Sequence, residues 1–397
     1  MRFGSNLQPF HILPSTNNMP GKKNTLKAVS LFSGAGGMDI GVRSAGFEIM
    51  ASVERDKHCC STLRANIDLE EHRTLVLEND IREVDPETLM DMLGIQPGSL
   101  DLLFGGPPCQ AFSQIGKQAS LGDERGLLLF EMTRFASVLK PKAVFIEQVK
   151  GLISAKDQQG RSGGVLDMLL KELEAIGYSP KWKLLNSADH GVAQQRKRVF
   201  IVATREKNTF SFPSATHQPS ARVGLDLFGL EPYVGVGAVL KGISKPAGKN
   251  GSPKLSGHID VTPPRDRERI NGVPEGGHLA AQTHLPKEQI GKLGKKDTTK
   301  YLRVSRERPS NTLRCGEIFF HPTQDRYLTP REYMRIHGYP DSYVLCGPVR
   351  SRSGRIADLD QHRQIANSVP PPLAKVVATE IAQTLACRES TRSLVTL

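Results

Sequence analysis

The stretch Leu26-Lys27-Ala28-Val29-Ser30-Leu31-Phe32-Ser33-Gly34-Ala35-Gly36-Gly37 decides the fold class. Leu26 to Phe32 reads as a buried strand, Ser33 to Gly37 as a Gly-rich turn, and Met38 to Ala45 as a helix. A strand, a tight turn and a helix N-terminus form a cradle for a nucleotide or cofactor, because the first amides of the helix point outward unpaired. The dinucleotide fingerprint G-x-G-x-x-G needs Gly or Ala at position 39, where this chain has Asp39. That departure argues against a nicotinamide dehydrogenase.

Outward from the turn, strand ends carrying acids follow. The strand Glu48 to Val53 leads to Glu54, 20 residues after Gly34, where a carboxylate can accept from both hydroxyls of a ribose. The strand Thr74 to Leu77 leads to Glu78-Asn79-Asp80-Ile81, with Asp80 placed to accept from an adenine amino group. Either acid alone is an ordinary solvated loop residue. Three successive strand ends bearing a Gly-rich turn, Glu54 and Asp80 suit an adenosyl cofactor without phosphates. The strand-helix alternation itself specifies an α/β fold with a parallel sheet.

A fourth strand, Leu100 to Phe104, runs into GGPPCQAFS, Gly105 to Ser113. Two glycines and two prolines fix the backbone and present Cys109, with Gln110 and Ser113 behind it, beyond a strand end. Active sites of open α/β sheets sit at such ends. By itself the stretch fits either a reactive thiol or a tight turn that contains a cysteine. Asp123-Glu124-Arg125-Gly126 precedes a helical run, Leu127 to Leu139, and places acids at its N-terminus. The fifth strand, Ala143 to Ile146, ends in Glu147-Gln148-Val149. An acid at the mouth of a buried strand is partly desolvated, which lifts its pKa and lets it hold a proton near neutral pH; a surface acid or helix cap is the alternative. A helix over Val165 to Ile176 and strands at Trp182 to Leu185 and Val199 to Ala203 follow. Between those strands, Arg196 and Arg198 alternate on one side of a strand start, so both could point at an anion or a base.

From Phe210 to about Arg306 the alternation stops. Lys241 to Lys300 holds 12 Lys and Arg against 6 Asp and Glu, with little periodicity. A flexible linker fits, as does a small irregular domain laid on nucleic acid, seeded by Ile259, Val261, Ile270, Val273 and Leu279. Arg265, Arg267, Arg269, His258 and Gln282 are the base or phosphate readers expected by residue type. Regular structure returns at Arg308-Pro309-Ser310-Asn311-Thr312, then a helix start with Thr329 as N-cap, Pro330 in the first turn and Glu332 inside it. Gln364 to Pro372 leads into a final helix, Leu373 to Ala386.

The whole-chain numbers agree with a polyanionic partner: 53 Lys and Arg against 41 Asp and Glu give +12. Six cysteines without metal-type spacing point to free thiols, a reducing compartment and no metal site. No apolar run is long enough to span a membrane, and Met1 to Asn24 reads as a loose polar arm rather than a secretory signal, so a cytoplasmic protein is expected.

Taken in order, these motifs resemble those of the DNA cytosine-C5 methyltransferases over nearly the whole chain, from Phe32 to the final helix. FSGAGG (Phe32 to Gly37) is similar to the family's first cofactor motif; Glu54 and Asp80-Ile81 are similar to its ribose and adenine contacts. GGPPCQAFS resembles its catalytic loop, DERGLL (Asp123 to Leu128) a further cofactor-side motif, and Glu147 its catalytic glutamate. QQRKR (Gln194 to Arg198) resembles its arginine motif, RPSNT (Arg308 to Thr312) the support of its target recognition domain, and NSVPP (Asn367 to Pro371) its last cofactor motif. Two positions depart: Gln148 stands where the family has Asn, and Ala193 where it has Pro. Gln keeps the amide but lengthens the arm that supports the Cys109 loop; Ala193 makes the turn before Gln194 less rigid.

The resemblance implies a class I S-adenosylmethionine-dependent methyltransferase, a Rossmann-like α/β sheet with a small irregular target recognition domain. The division it implies is an arm (1–24), a catalytic and cofactor-binding domain (25–206), a target recognition domain (207–306), and a return segment (307–397) whose final helix, about 371–386, completes the catalytic domain. It implies S-adenosyl-L-methionine held by Phe32, Gly34, Ala35, Gly36, Gly37, Glu54, Arg55, Asp80, Ile81, Gly106, Pro108, Leu128, Asn367 and Ser368. It makes Cys109 the nucleophile at cytosine C6 and Glu147 the partner of N3. Arg198 becomes a contact to O2, and Arg196 a support for the neighbouring backbone or Glu147. Gln110 and Ser113 join Arg265, Arg267 and Arg269 as DNA contacts. The expected partner is double-stranded DNA, with the chain a monomer, either solitary or paired with a restriction endonuclease that acts on the same site without stable contact. Intact Cys109, Glu147 and Arg198 argue against a catalytically silent DNA-binding scaffold; the long basic insert argues against a tRNA cytosine methyltransferase.

Overall fold

Seven strands form one sheet: β1 (Leu26–Leu31), β2 (Phe47–Glu54), β3 (Leu75–Glu78), β4 (Leu102–Gly105), β5 (Ala143–Val149), β6 (Ser179–Asn186) and β7 (Lys197–Thr204). Their order is β3-β2-β1-β4-β5-β7-β6; the first five run parallel, and β7 is antiparallel to both β5 and β6. The computed structural model describes residues 25–70, 73–108, 126–205, 210–219, 229–282, 284–290, 301–351 and 359–395. Cys109, Gln110 and Ser113, and the expected N-terminal arm, lie outside the described residues.

The strands β4 and β5 read as near-continuous apolar runs because helices cover both faces, as parallel sheets require. Helices α1 (Gly37–Ser44), α2 (Lys57–Glu70), α3 (Pro86–Leu93), α4 (Glu131–Leu139) and α5 (Gly164–Ala175) connect or follow the strands. One face packs Leu89, Met132, Phe135, Leu139, Leu169 and Leu173 into a single core with β1, β4 and β5. The other packs Val42, Val377, Ala378 and Ile381 against Phe47, Phe104, Phe145 and Phe200. Strand order reverses between β1 and β4, and a crevice opens at such a switch point beyond the strand C-termini. There Leu31 pairs with Gly105, and a Cβ on residue 105 would lie 2.3 Å from the Leu31 carbonyl oxygen, so only glycine permits the approach.

Three boundaries differ from the sequence reading. The strand expected to stop at Ile146 runs to Val149, because β7 continues the antiparallel ladder through Glu147↔Phe200, Gln148↔Val199 and Val149↔Arg198. Glu147 is therefore inside a strand rather than past its mouth. The helix expected from Leu127 is a 3-10 turn, Gly126–Leu129, followed by α4 from Glu131; Leu128 and Leu129 are drawn into the core by that turn. The last helix extends from Pro371 to Val395, beyond the expected end near 386.

Asp39, the residue that broke the dinucleotide pattern, is buried and accepts from the Ser30 and Ser52 hydroxyls at 2.8 Å each. It ties α1 to β1 and β2, and burial raises its pKa.

The basic insert is sparse in regular structure: α6 (Val236–Leu240), α7 (Pro264–Ile270) and α8 (Lys287–Ile290) are short. Ile270, Val273 and Leu279 are buried as expected, whereas Ile259 and Val261 are half-buried. Their apolar centre continues through Leu302, Leu313, Phe319 and Leu328 into α9 (Pro330–His337) and α10 (Gln361–Asn367). The core of the insert is thus shared with the segment after residue 306. Thr329 and Glu332 form a reciprocal capping box at the start of α9, with Pro330 in its first turn. The long final helix, α11 (Pro371–Val395), returns to the sheet, where a Cβ on Gly41 of α1 would meet Ala374 at 2.5 Å.

Candidate active site

A cavity of about 940 Å³ opens at the switch point, lined by the turn after β1, the ends of β2 to β5, Arg198 and the loop from Asn367 to Val369. Phe32, Gly34, Ala35, Gly37, Glu54, Arg55, Asp80, Ile81, Gly106, Pro108, Leu128, Asn367 and Ser368 all line it, together with Glu147 and Arg198. Gly36 lies just behind it, packed on Tyr343.

The turn is set by backbone in the left-handed region at Phe32 (φ 54), Gly34 (φ 55) and Gly36 (φ 73); the phenylalanine pays a steric penalty there. Glu54 closes it from β2. Its Oε2 accepts from the Gly34 amide, and its Oε1 from the Arg55 and Asp56 amides, all at 2.8 Å. A carboxylate offers about four acceptor positions, so capacity remains toward the cavity. Burial raises the Glu54 pKa, against the pull of those three amides. Asp80 caps the 3-10 turn Ile81–Glu83 by accepting from the Arg82 amide, and the Arg82 and Arg55 side chains reach it at 2.9 Å and 3.4 Å. Those donors hold its carboxyl well below the usual range, so an adenine amino group would share oxygens already engaged by cations.

On the opposite wall, Glu147 Oε1 pairs with Arg198 Nε at 2.9 Å. Among the described residues its Oε2 accepts no hydrogen bond, and it faces Gly106, where a Cβ would come within 3.3 Å. Burial raises the Glu147 pKa, opposed by the charges of Arg198 and Arg196. Arg196 and Arg198 both lie near enough to Glu147 for their charges to act on it, but their contacts differ. Arg196 precedes β7 and is buried, with Nη2 on the Ala366 and Ser368 carbonyls at 2.8 Å and 3.0 Å. Just before it, Gln194–Gln195 pair in parallel with Ser310–Asn311. Arg196 therefore supports the wall of the cavity, while Arg198 alone of the two lines it.

Gln148, the longer amide, reaches the carbonyl of Pro107 at 2.6 Å, two residues before Cys109. The extra methylene is accommodated and the contact is made. Gln148→Ala leaves that buried carbonyl without its donor, a loss of about 1–3 kcal/mol. Steady-state kinetics are expected to show kcat reduced roughly tenfold with cofactor affinity unchanged, and Gln148→Asn intermediate.

A scan against family models matches residues 26–383 to C-5 cytosine-specific DNA methylase. The chain belongs to the C-5 cytosine-specific DNA methylase family. It is 32% identical over 363 residues to type II methyltransferase M.NgoFVII of Neisseria gonorrhoeae, covering 89% of this chain and 86% of that one. It is 42% identical over 218 residues to type II methyltransferase M.AquIA of Picosynechococcus sp., covering 52% of this chain and 84% of the relative. Among solved structures, one described as a prophage-encoded DNA modification methyltransferase of E. coli superposes with a TM-score of 0.67 at 21% identity, covering 91% and 99% of the two chains. These likenesses make the chain a DNA cytosine-5 methyltransferase with the class I S-adenosylmethionine-dependent fold.

In this methylase the candidate DNA readers divide. Arg265 is exposed on α7. Arg267 pairs with Asp260, and Arg269 reaches the Ile290 carbonyl and Asp266. His258 is buried between Thr329 and the Ser244 carbonyl; Gln282 is buried against Arg269 and Leu285. The last two are held inside the methylase, whereas both arginines keep guanidinium N–H groups beyond those already engaged. Asn367 accepts from the Cys315 thiol at 2.7 Å, and the Ser368 hydroxyl turns back to Ile365.

Arg134 and His337 contribute without a motif of their own. Arg134 of α4 holds the Ile81 and Val84 carbonyls from beneath the turn that bears Asp80. Gln194 donates to His337 at 2.8 Å while accepting from the Leu313 amide, and His337 in turn reaches the Ser368 carbonyl at 3.0 Å. The nearness of Gln194 to the arginine pair was the one available signal. Among the described residues no cluster of three or more metal-type ligands occurs, and no helix is long and apolar enough to cross a membrane.

Proposed function

We propose that this DNA cytosine-5 methyltransferase uses S-adenosyl-L-methionine and a covalent adduct between Cys109 and C6 of a cytosine flipped out of duplex DNA. One observation carries the reading: a single cavity joins the glycine turn and Glu54 to the Glu147–Arg198 pair, with the backbone of Gly106 to Pro108 leading between them to Cys109. The residues fit the donor. Glu54 keeps acceptor capacity for ribose hydroxyls, and buried Asp39 beneath the turn opposes phosphates while tolerating a sulfonium.

Cytosine C5 is a poor nucleophile until charge is pushed into the ring. The Cys109 thiolate adds to C6, and the displaced electron pair moves toward C5 and N3. Glu147 donates a hydrogen bond or its proton to N3 as that charge develops, and Arg198 holds Glu147 and offers its guanidinium to O2. S-adenosyl-L-methionine, when bound, supplies the methyl group to C5. A base then removes the C5 proton, the returning electrons expel Cys109 as thiolate, and N3 gives any proton it took back to Glu147 as the ring is restored. A stacked base exposes no C6 to a thiol, hence the flipping. The chain acts as a monomer, with the region 207–306 as the target recognition domain and Arg265, Arg267, Arg269, Gln110 and Ser113 as DNA contacts. Its type II relatives favour a modification role beside a restriction endonuclease over a solitary one.

Bisulfite sequencing of host DNA after expression tests the activity and reads the target; unconverted cytosines at one recurring sequence support it, and none would sink it. Glu54→Ala removes the acceptor of three amides and of the ribose. Calorimetry with S-adenosylhomocysteine is expected to show affinity weakened at least about tenfold, with DNA affinity retained.

A further inference from the structure

Tyr343 lies outside every motif named so far, in the loop after α9, yet its hydroxyl donates to the Ala35 carbonyl at 2.9 Å. Tyr339 reaches the same carbonyl at 3.4 Å. Both rings are buried and tilted against each other with centroids 5.3 Å apart. The fit behind the turn is tight: a Cβ on Gly36 would come 2.5 Å from the Tyr343 oxygen. Tyr343 is itself pinned, because its carbonyl accepts from Arg331 Nη2 at 2.8 Å. Arg331 is fully buried on α9, and its Nε donates to the Ser256 carbonyl of the basic insert at 2.8 Å. A continuous set of buried hydrogen bonds thus runs from the insert through Arg331 and Tyr343 to the glycine turn.

We propose that Tyr343 is a positioning residue for the methyl donor: through the Ala35 carbonyl it fixes the glycine turn, and through Arg331 it ties that turn to the DNA-facing half of the protein. It rests on the reading of the cavity as the S-adenosyl-L-methionine site. Tyr343 does not line the cavity, so its effect passes through the turn rather than by contact with the donor. Loss of its hydroxyl leaves a buried carbonyl with only the longer contact from Tyr339.

Tyr343→Phe removes one oxygen and keeps the ring, so the fold is retained. Calorimetry with S-adenosylhomocysteine is expected to show affinity reduced roughly fivefold. KM for the donor should rise in parallel, with kcat and the DNA affinity of the cofactor-free protein within about twofold of wild type. Amide hydrogen exchange over Ala35 to Asp39 should quicken in the variant without ligand. A lower melting temperature with unchanged ligand affinity would mark a purely structural hydroxyl and overturn the proposal. Absence of binding by the wild type would overturn the donor reading, and the proposal with it; equal binding by wild type and variant would overturn the proposal alone.

Discussion

Cys109→Ala is expected to abolish methyl transfer, with turnover reduced by at least about four orders of magnitude in a tritiated-methyl assay. The proposed reaction has no second thiolate to make C5 reactive, so the loss falls on kcat. S-adenosylhomocysteine affinity should stay near wild type, because the donor's walls are built by the turn after β1, Glu54 and the Asn367 loop. DNA affinity should also hold, since the change removes only the sulfur and leaves every basic residue in place. A wild-type enzyme trapped on DNA carrying a C5-blocked cytosine should migrate as a denaturant-stable complex, and the variant should not. Retained turnover, or a stable complex with the alanine variant, would remove Cys109 from the reaction.

Glu147→Gln should lower kcat by about 10²–10⁴, the usual contribution of a positioned proton donor. Gln keeps the volume and a donor for N3 but cannot surrender a proton, and it gives Arg198 a neutral partner in place of the 2.9 Å ion pair. The pH profile separates these losses. Burial raises the Glu147 pKa above its ordinary 4.5, so the protonated form persists to higher pH than in an exposed glutamate. Activity that depends on that proton declines as pH rises through the raised value, and the limb should flatten in Glu147→Gln. The sign for stability follows the same direction: the folded state holds the proton more tightly, so this group's stabilising contribution is complete below 4.5 and is lost as pH rises through the raised value. An unchanged pH–kcat/KM profile in the variant would exclude Glu147 as the titrating acid.

Much of this architecture was legible because parallel strands buried on both faces leave apolar runs, and strand ends leave the acids and glycines exposed as punctuation. Glu54 and Asp80 therefore reach one cavity as their spacing suggested, and Gly106 and Asn367 join them there as the resemblance implied. What escaped was whatever depends on pairing between distant segments. The extension of β5 past Ile146 is imposed by β7, some 50 residues later, and no local signal marks it. Arg196 was expected to hold backbone near Arg198, but the carbonyls it holds, at Ala366 and Ser368, lie on the far side of the insert. Arg267 and Arg269 read as free cations, but acids nearby in the fold already engage them. The amide of Gln148 could be named as a loop support, whereas its reach to Pro107 needed the actual backbone.

The antiparallel ladder between β5 and β7 has a consequence for how this enzyme can evolve. Glu147 lies opposite Phe200, and Arg198 opposite Val149, so the acid and its cation are diagonal neighbours on one face of the ladder. Sliding β7 by one residue would send Arg198 to the other face and strand a buried carboxylate. The turn from Ser187 to Arg196 is thus closed to single insertions and deletions, even though loops usually absorb them. Length variation in related chains should accumulate instead in the basic insert, where it leaves the spacing of acid and arginine untouched.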